Sequence, residues 1–91
     1  MIARSTLPFS VGESILIRTV TMILLGRVRA IAPDYVVLEN GGWVADVGRL
    51  GHALVSGEVV EYEIGTSWTL VAWASVIDIW PWDHDLPRTT I

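Results

Sequence analysis

The stretch that decides the fold lies at positions 35–46 and reads Tyr35-Val36-Val37-Leu38-Glu39-Asn40-Gly41-Gly42-Trp43-Val44-Ala45-Asp46. Its first five residues are mostly β-branched, aromatic or aliphatic, as is typical of a strand. Asn40-Gly41-Gly42 accepts the positive φ angles that tight hairpin turns require. The stretch therefore predicts a β-hairpin, with Trp43 closing the returning strand into the core.

A corner is predicted immediately after this hairpin, where the chain enters a short helical insert near 47–56. The carboxylate of Asp46 can cap a helix, and Arg49 is placed to pair with it. Gly48 and Gly51 each weaken a helix by roughly 1 kcal/mol relative to alanine, so one or two turns are expected before Gly57. We interpret Trp43, Asp46 and Arg49 as structural residues of this corner.

Two strands are predicted upstream, over 14–21 and 20–31. In the second, apolar residues occupy the even positions Val20, Met22, Leu24, Val28 and Ala30, and this alternation predicts a core-facing side. The opposite side begins with Ile23 and Leu25 and continues with Arg27 and Arg29. We expect Ile23 and Leu25 to form a subunit contact, unless a bulge at Gly26 reverses the alternation.

Downstream, residues 58–64 predict a strand with Val60, Tyr62 and Ile64 inward and Val59 outward. Residues 68–80 predict a strand that is apolar on both faces, and such a strand is expected to be buried on both faces. Trp80 and Trp82 flank Pro81 and are predicted to anchor into a neighbouring subunit.

Together these segments predict one mainly all-β domain over 1–91. We expect a small antiparallel SH3-like barrel or a rolled sheet of five to six strands with the helical insert. An extended arm is predicted at 1–13 and an extended tail at 81–91. The pattern is similar to SH3-like barrels and, less closely, to Sm-like barrels.

The composition favours self-association. The chain has 91 residues, 52% of them hydrophobic and 18% charged, with a mean hydropathy of +0.51. A domain this small leaves much of its surface exposed, so a homo-oligomer is the simplest way to bury the apolar excess. The predicted interface consists of Ile23, Leu25, Trp73, Ile79, Trp80 and Trp82.

The charged residues argue against general nucleic-acid binding. The net charge is -4, and there is no lysine. Arg18, Arg27 and Arg29 can nevertheless form a stripe facing either phosphates or the carboxylates of a partner. We expect carboxylates, and keep an SH3-like or Sm-like nucleic-acid-binding module as the alternative function.

No catalytic, metal or cofactor site is expected. Asp83-His84-Asp85 and His52 lack the spacing of metal ligands, and Glu61 and Glu63 are expected to be solubilising charges at a strand edge. No serine-nucleophile or phosphate-binding glycine motif occurs. The chain also lacks an apolar run of the roughly 20 residues that a membrane helix needs, and it starts without a recognisable secretory signal.

The chain resembles a family of small uncharacterised bacterial proteins, some encoded by phages and prophages. The resemblance spans about 11–88, and its most specific segments are Ile17-Arg18-Thr19-Val20-Thr21 and Trp43-Val44-Ala45-Asp46-Val47-Gly48-Arg49; the weaker segments are Gly26-Arg27, Val37-Leu38-Glu39, Asp78 and Leu86-Pro87. It implies a compact unit with a phage connection and no assigned activity.

The expected function is therefore that of a non-enzymatic, self-associating structural or scaffolding protein, such as a virion or filament subunit of phage or prophage origin. Its expected partners are further copies of itself and other phage or assembly proteins. The expected location is cytoplasmic, or virion-associated if the protein derives from a phage.

Overall fold

The computed structural model describes residues 7–91, which form an antiparallel sheet and one short helix. The elements are β1 (Ser14–Thr19), β2 (Ile23–Ile31), β3 (Tyr35–Asp46), α1 (Leu50–Ser56), β4 (Glu61–Ile64), β5 (Thr69–Ala72), a 3-10 turn (Trp73–Ser75) and β6 (Val76–Pro81). The sheet order is β4-β3-β2-β1-β6, and β5 pairs with the first half of β3. The sheet is rolled and does not close. The prediction of a mainly-β fold with a rolled sheet and a short helical insert is confirmed.

The predicted hairpin at Asn40-Gly41-Gly42 is wrong, because β3 continues through these residues as one strand of twelve. Its first half pairs with β5 and its second half with β4, while β2 runs along its other side. Gly41 is buried, and a Cβ atom built there would lie 1.8 Å from the carbonyl oxygen of Leu25. The glycines thus permit a close crossing of backbones rather than a reversal of the chain.

Asn40 marks a bulge in β3. Leu25 opposes Gly42 and Arg27 opposes Glu39, so two steps along β2 match three steps along β3. Asn40 takes up the extra residue with a φ of 54°, a left-handed conformation that asparagine tolerates better than most residues. The bulge reverses the alternation of side chains, which sends Leu38 and Val44 to opposite sides of the sheet although both positions are even.

A second bulge lies in β2 at Arg29. Val28 opposes Leu38 and Ala30 opposes Val37, so β2 contains the extra residue here. Ala30 is consequently exposed, although the alternation predicted it in the core. Val20 and Met22 are also exposed, by 71% and 41%, because both precede the start of β2.

Two hydrophobic cores lie on opposite sides of β1 and β2. The first core consists of Ile15, Ile17, Leu24, Val28, Val36, Leu38 and Val71. The second core consists of Leu16, Leu25, Val44, Ala53, Val59, Tyr62 and Trp82. Successive residues of β1 alternate between the cores, so this strand is covered on both sides by its own chain.

The downstream strands also differ from their predictions. Val59 is buried and Val60 is 56% exposed, the reverse of the predicted order, since β4 begins only at Glu61. The strand predicted over 68–80 is interrupted by the 3-10 turn. The predicted cover on both sides is also wrong, since Leu70 and Ile77 are exposed by 48% and 62%. Tyr62 is buried as predicted.

The segments outside the strands pack against the sheet. Gly12 and Glu13 exchange backbone hydrogen bonds with Val28, and Ile91 exchanges two with Tyr62 on the outer side of β4. The remainder of the arm predicted at 1–13, residues 1–6, lies outside the described residues. Within the part of the chain that the structure describes, no helix has the length and hydropathy needed to span a bilayer.

We expect Gly41→Ala to destabilise the fold by at least about 2 kcal/mol, because the new methyl group meets backbone atoms that cannot rotate away. Gly51→Ala is the matched control, since nothing lies within 4 Å of the added Cβ on α1. The control should be neutral or stabilising by up to about 1 kcal/mol. Urea unfolding measures both free energies, and equal stability of the two variants would contradict the close crossing.

We expect Tyr62→Phe to keep or raise stability. The Tyr62 hydroxyl is buried and has no hydrogen-bond partner among the described residues, and such a group costs about 1 to 3 kcal/mol. Burial raises its pKa above the ordinary value of 10.0. Titration of Tyr62 therefore leaves the free energy of unfolding of the wild type unchanged below pH 10 and lowers it as the pH rises above 10. Thermal unfolding of wild type and variant from pH 7 to 11 tests this. A large loss of stability in Tyr62→Phe at pH 7 would show that the hydroxyl does have a hydrogen-bond partner.

Candidate interaction surface

The outward side of β2, β3 and β5 carries a continuous apolar row. Val37 of β3 lies between Ala30 on β2 and Leu70 on β5 in the strand register. Tyr35, two residues before Val37 on β3, opposes Ala72 on β5. Alternate residues of a strand point to opposite faces, and the residues between these belong to the first core. We call Ala30, Tyr35, Val37, Leu70 and Ala72 the outer patch.

The outer patch is open to solvent. Leu70 is 48% exposed and Tyr35 is 38% exposed, and Val37 between them is half-buried. Neighbouring exposed apolar side chains on a sheet face are typical of interaction sites, unlike single exposed residues. The outer patch is therefore the candidate interaction surface.

An ion pair borders the outer patch. Arg27 donates a hydrogen bond from Nη2 to Oε1 of Glu39 over 3.1 Å, and the two residues oppose each other on β2 and β3. Arg27 follows Leu25 on the same side of β2, so the pair stands between the second core and the outer patch. Because α1 and the tail cover only the second core, this side of the sheet is half covered and half open.

The structure corrects two residues of the predicted interface. Leu25 is 1% exposed and Trp82 is 3% exposed, and both belong to the second core. They cannot contact a neighbouring subunit because their own chain already surrounds them. The bulge proposed at Gly26 is not the reason; Leu25 is buried because α1 and the tail cover its side of β2.

Most of the other predicted interface residues also pack against their own chain. Ile23 is half-buried against the second core, and Trp73 and Ile79 are half-buried against the first. The Trp73 indole donates a hydrogen bond to the carbonyl of Ala32 over 2.8 Å. Trp80 is 39% exposed and donates from its indole to Asp78, so it is the member of the predicted set with the most accessible side chain.

The predicted arginine stripe is not one surface. Arg18 opposes Ile23 and Arg27 opposes Ser14, a separation of four residues or roughly 13 Å along the strands. Arg18 binds Asp78 with two hydrogen bonds, one from Nε to Oδ1 over 2.7 Å and one from Nη2 to Oδ2. Arg27 binds Glu39, and Arg29 is the exposed bulge residue. The pairing that we expected between subunits is thus made within the chain for two of these arginines.

The Arg18–Asp78 pair links β1 to β6. The hydrogen bond from Arg18, aided by one from Trp80, holds the pKa of the Asp78 carboxyl below its ordinary value of 3.8. The same hydrogen bond raises the pKa of Arg18. The pair therefore remains charged at neutral pH and stabilises the docking of β6.

The predicted corner is only partly correct. Asp46 accepts a hydrogen bond from the Gly48 N–H over 2.8 Å, so it fixes the turn, but it does not cap α1. Arg49 occupies the cap position without a side-chain hydrogen bond, and in the described chain it forms no ion pair with Asp46. Trp43 is 42% exposed rather than buried, although it opposes Leu24 of the first core. Gly57 ends α1 with a φ of 77°, as its position in the sequence predicts.

His84 has a structural position. Its Nε2 lies 2.8 Å from the carbonyl oxygen of Leu54, and its ring meets that of Trp82 edge-on at 5.3 Å. These contacts fasten the tail to α1. Across residues 7–91, no group of three or more histidine, aspartate or glutamate side chains is arranged to hold a metal ion.

No protein-family model, curated protein or solved structure matches the chain. The resemblance to bacterial and phage proteins accordingly stays a prediction from the sequence segments that suggest it.

We expect Asp78→Asn to lower stability modestly, and by less than Gly41→Ala, because the ion pair is partly exposed to solvent. The depressed pKa of Asp78 means that its contribution is present above pH 3.8 and is lost as pH falls below that value. The difference in unfolding midpoint between wild type and variant should thus shrink from pH 6 to pH 2. A constant difference over that range would exclude the ion pair as its cause.

Proposed function

We propose that this protein is a non-enzymatic, self-associating structural or scaffolding protein whose copies pack through the outer patch. The observation that carries the proposal is the uncovered half of the outer sheet face, where Tyr35, Val37 and Leu70 adjoin in register. Burying such side chains stabilises by roughly 25 cal/mol for each Å² of apolar surface removed from water. A second copy would supply that cover.

The charges at the border suit a second copy of the same chain. Arg27 and Glu39 place one positive and one negative group beside the outer patch. The two groups already pair with each other, so a second copy of the same chain meets no excess of either charge beside the outer patch. A partner of strongly one-sided charge would gain nothing from this arrangement.

The edges of the sheet hinder the addition of a strand from another copy, which favours association of copies through their sheet faces. Ile77 is an extra residue in β6 between the partners of Arg18 and Thr19, and β6 ends at Pro81. Bulges and prolines both hinder the addition of another strand. The edge of β4 is paired with Ile91, and β5 is only four residues long.

The biological setting of the proposal comes from the sequence resemblance. A self-associating domain of phage or prophage origin would serve as a virion or filament subunit, with further copies and other assembly proteins as partners.

We expect Leu70→Glu to abolish self-association, because it places a charge at an exposed apolar position of the outer patch, beside Val37. Val55→Glu is the matched control: Val55 is 82% exposed on α1, away from the outer patch, and the substitution makes the same change in net charge. Sedimentation velocity at micromolar concentrations measures the association state, and circular dichroism verifies folding. A monomeric wild type, or equal effects of the two variants, would refute the proposal.

Salt dependence separates this function from binding to nucleic acid. Copies carrying a net charge of -4 repel each other, so added salt should strengthen association through an apolar patch. Binding of phosphates by arginines weakens with salt instead. Sedimentation of wild type at 50 and 500 mM NaCl, with and without a DNA oligonucleotide, distinguishes the two.

A further inference from the structure

A large apolar groove lies at the opening of the rolled sheet, where β6 and the 3-10 turn face the segment before β1. Its volume is about 910 Å³. Apolar walls come from Ile15, Ile79, Val76 and the aromatic pair Phe9 and Trp73. Ligand sites are commonly concave, mainly apolar and of this size. The groove is separate from the outer patch except at Ala72, which adjoins both.

The aromatic wall of the groove is held in place by the backbone. The Trp73 indole is fixed by its hydrogen bond to Ala32, and the Trp73 N–H donates to the carbonyl of Asp34 over 3.0 Å. Phe9 lies against Trp73 with ring centroids 6.5 Å apart and a tilt of 46°. A ligand would therefore meet rings that are already oriented, which lowers the entropic cost of binding.

Among the described residues that line the groove, the charged ones are all acidic. They are Glu13, Asp34 and Asp78. Asp78 is neutralised by Arg18, and Glu13 accepts a hydrogen bond from the Ser10 hydroxyl over 3.0 Å. No cationic side chain of residues 7–91 lies within ion-pair distance of Asp34. Asp34 lines the groove, and its backbone carbonyl accepts the Trp73 hydrogen bond, so an acidic residue and an aromatic residue lie next to each other on the groove wall.

We propose that this groove binds an amphipathic cation, a small molecule with an aliphatic or aromatic body and a positively charged head. The body fills the space between Ile15, Ile79 and Phe9. The head lies near Asp34 and the Trp73 ring, where ion pairing and cation–π attraction both favour positive charge. An anionic head would be repelled by Asp34 and Glu13, so the groove selects ligands by the sign of their charge.

Three probes with the same eight-carbon tail test this selection: octyltrimethylammonium, octanol and octyl sulfate, each below its micelle concentration. The intact chain is titrated with each probe by calorimetry, and amide NMR shifts locate the site. The cation should bind about threefold or more tighter than the alcohol, and the sulfate weaker than both. The largest shifts should fall on Phe9, Trp73, Ile79 and their neighbours.

Matched variants separate charge from shape. Asp34→Asn should remove most of the preference for the cation and leave octanol binding unchanged. Glu61→Gln, which removes one carboxylate from exposed β4, should leave the preference intact. Ala74→Trp places a bulky side chain in the groove and should weaken all three probes alike. Equal affinity for the probes, equal behaviour of Asp34→Asn and Glu61→Gln, or shifts centred outside the groove would overturn the proposal.

Discussion

The close crossing of β3 against β2 and β4 is the constraint on which the rest of the structure depends. At Gly41 and Gly42, the backbone approaches Leu25 and Glu63 so closely that even a methyl group would collide with their carbonyl oxygens. This crossing lets one strand of twelve residues serve both halves of the sheet. The bulge at Asn40 accompanies it and directs the two halves of β3 towards different cores. Without these residues, a strand of this length would present one unbroken alternation.

The two cores explain how so small a chain accommodates its high apolar content. A rolled sheet has an inner side, which holds the first core, and an outer side, which is normally wet. Here α1, β4 and the tail cover part of the outer side and form the second core around Leu16 and Leu25. Much of the apolar excess that the composition assigns to subunit contacts is therefore buried within the chain. The outer patch stays uncovered on the outer side of β2, β3 and β5, and other exposed apolar side chains, such as Trp68 and Ile77, lie outside it.

The outer patch and the groove offer different kinds of surface. The outer patch is an exposed sheet face bordered by one ion pair of balanced charge, which suits a copy of the same chain. The groove is concave and aromatic, and its described lining residues supply only acidic charges, which suits a small cation. Because both adjoin Ala72 at the end of β5, association and ligand binding would take place on neighbouring parts of the same strand and turn.

The sequence by itself determined the class of the fold, the single helical insert ended by Gly57, and the need for positive φ near Asn40. These follow from local properties, namely strand propensity, glycine content and the spacing of turn residues. Only the tertiary structure decided which residues face solvent. A one-residue bulge moves every later side chain to the other face of a sheet, and the bulges at Asn40 and Arg29 leave no local pattern that fixes their positions. The outer patch thus follows from the pairing of β5 with the consecutive strands β2 and β3, from which β5 is distant in sequence. The burial of Leu25 and Trp82 follows from the return of the tail onto α1.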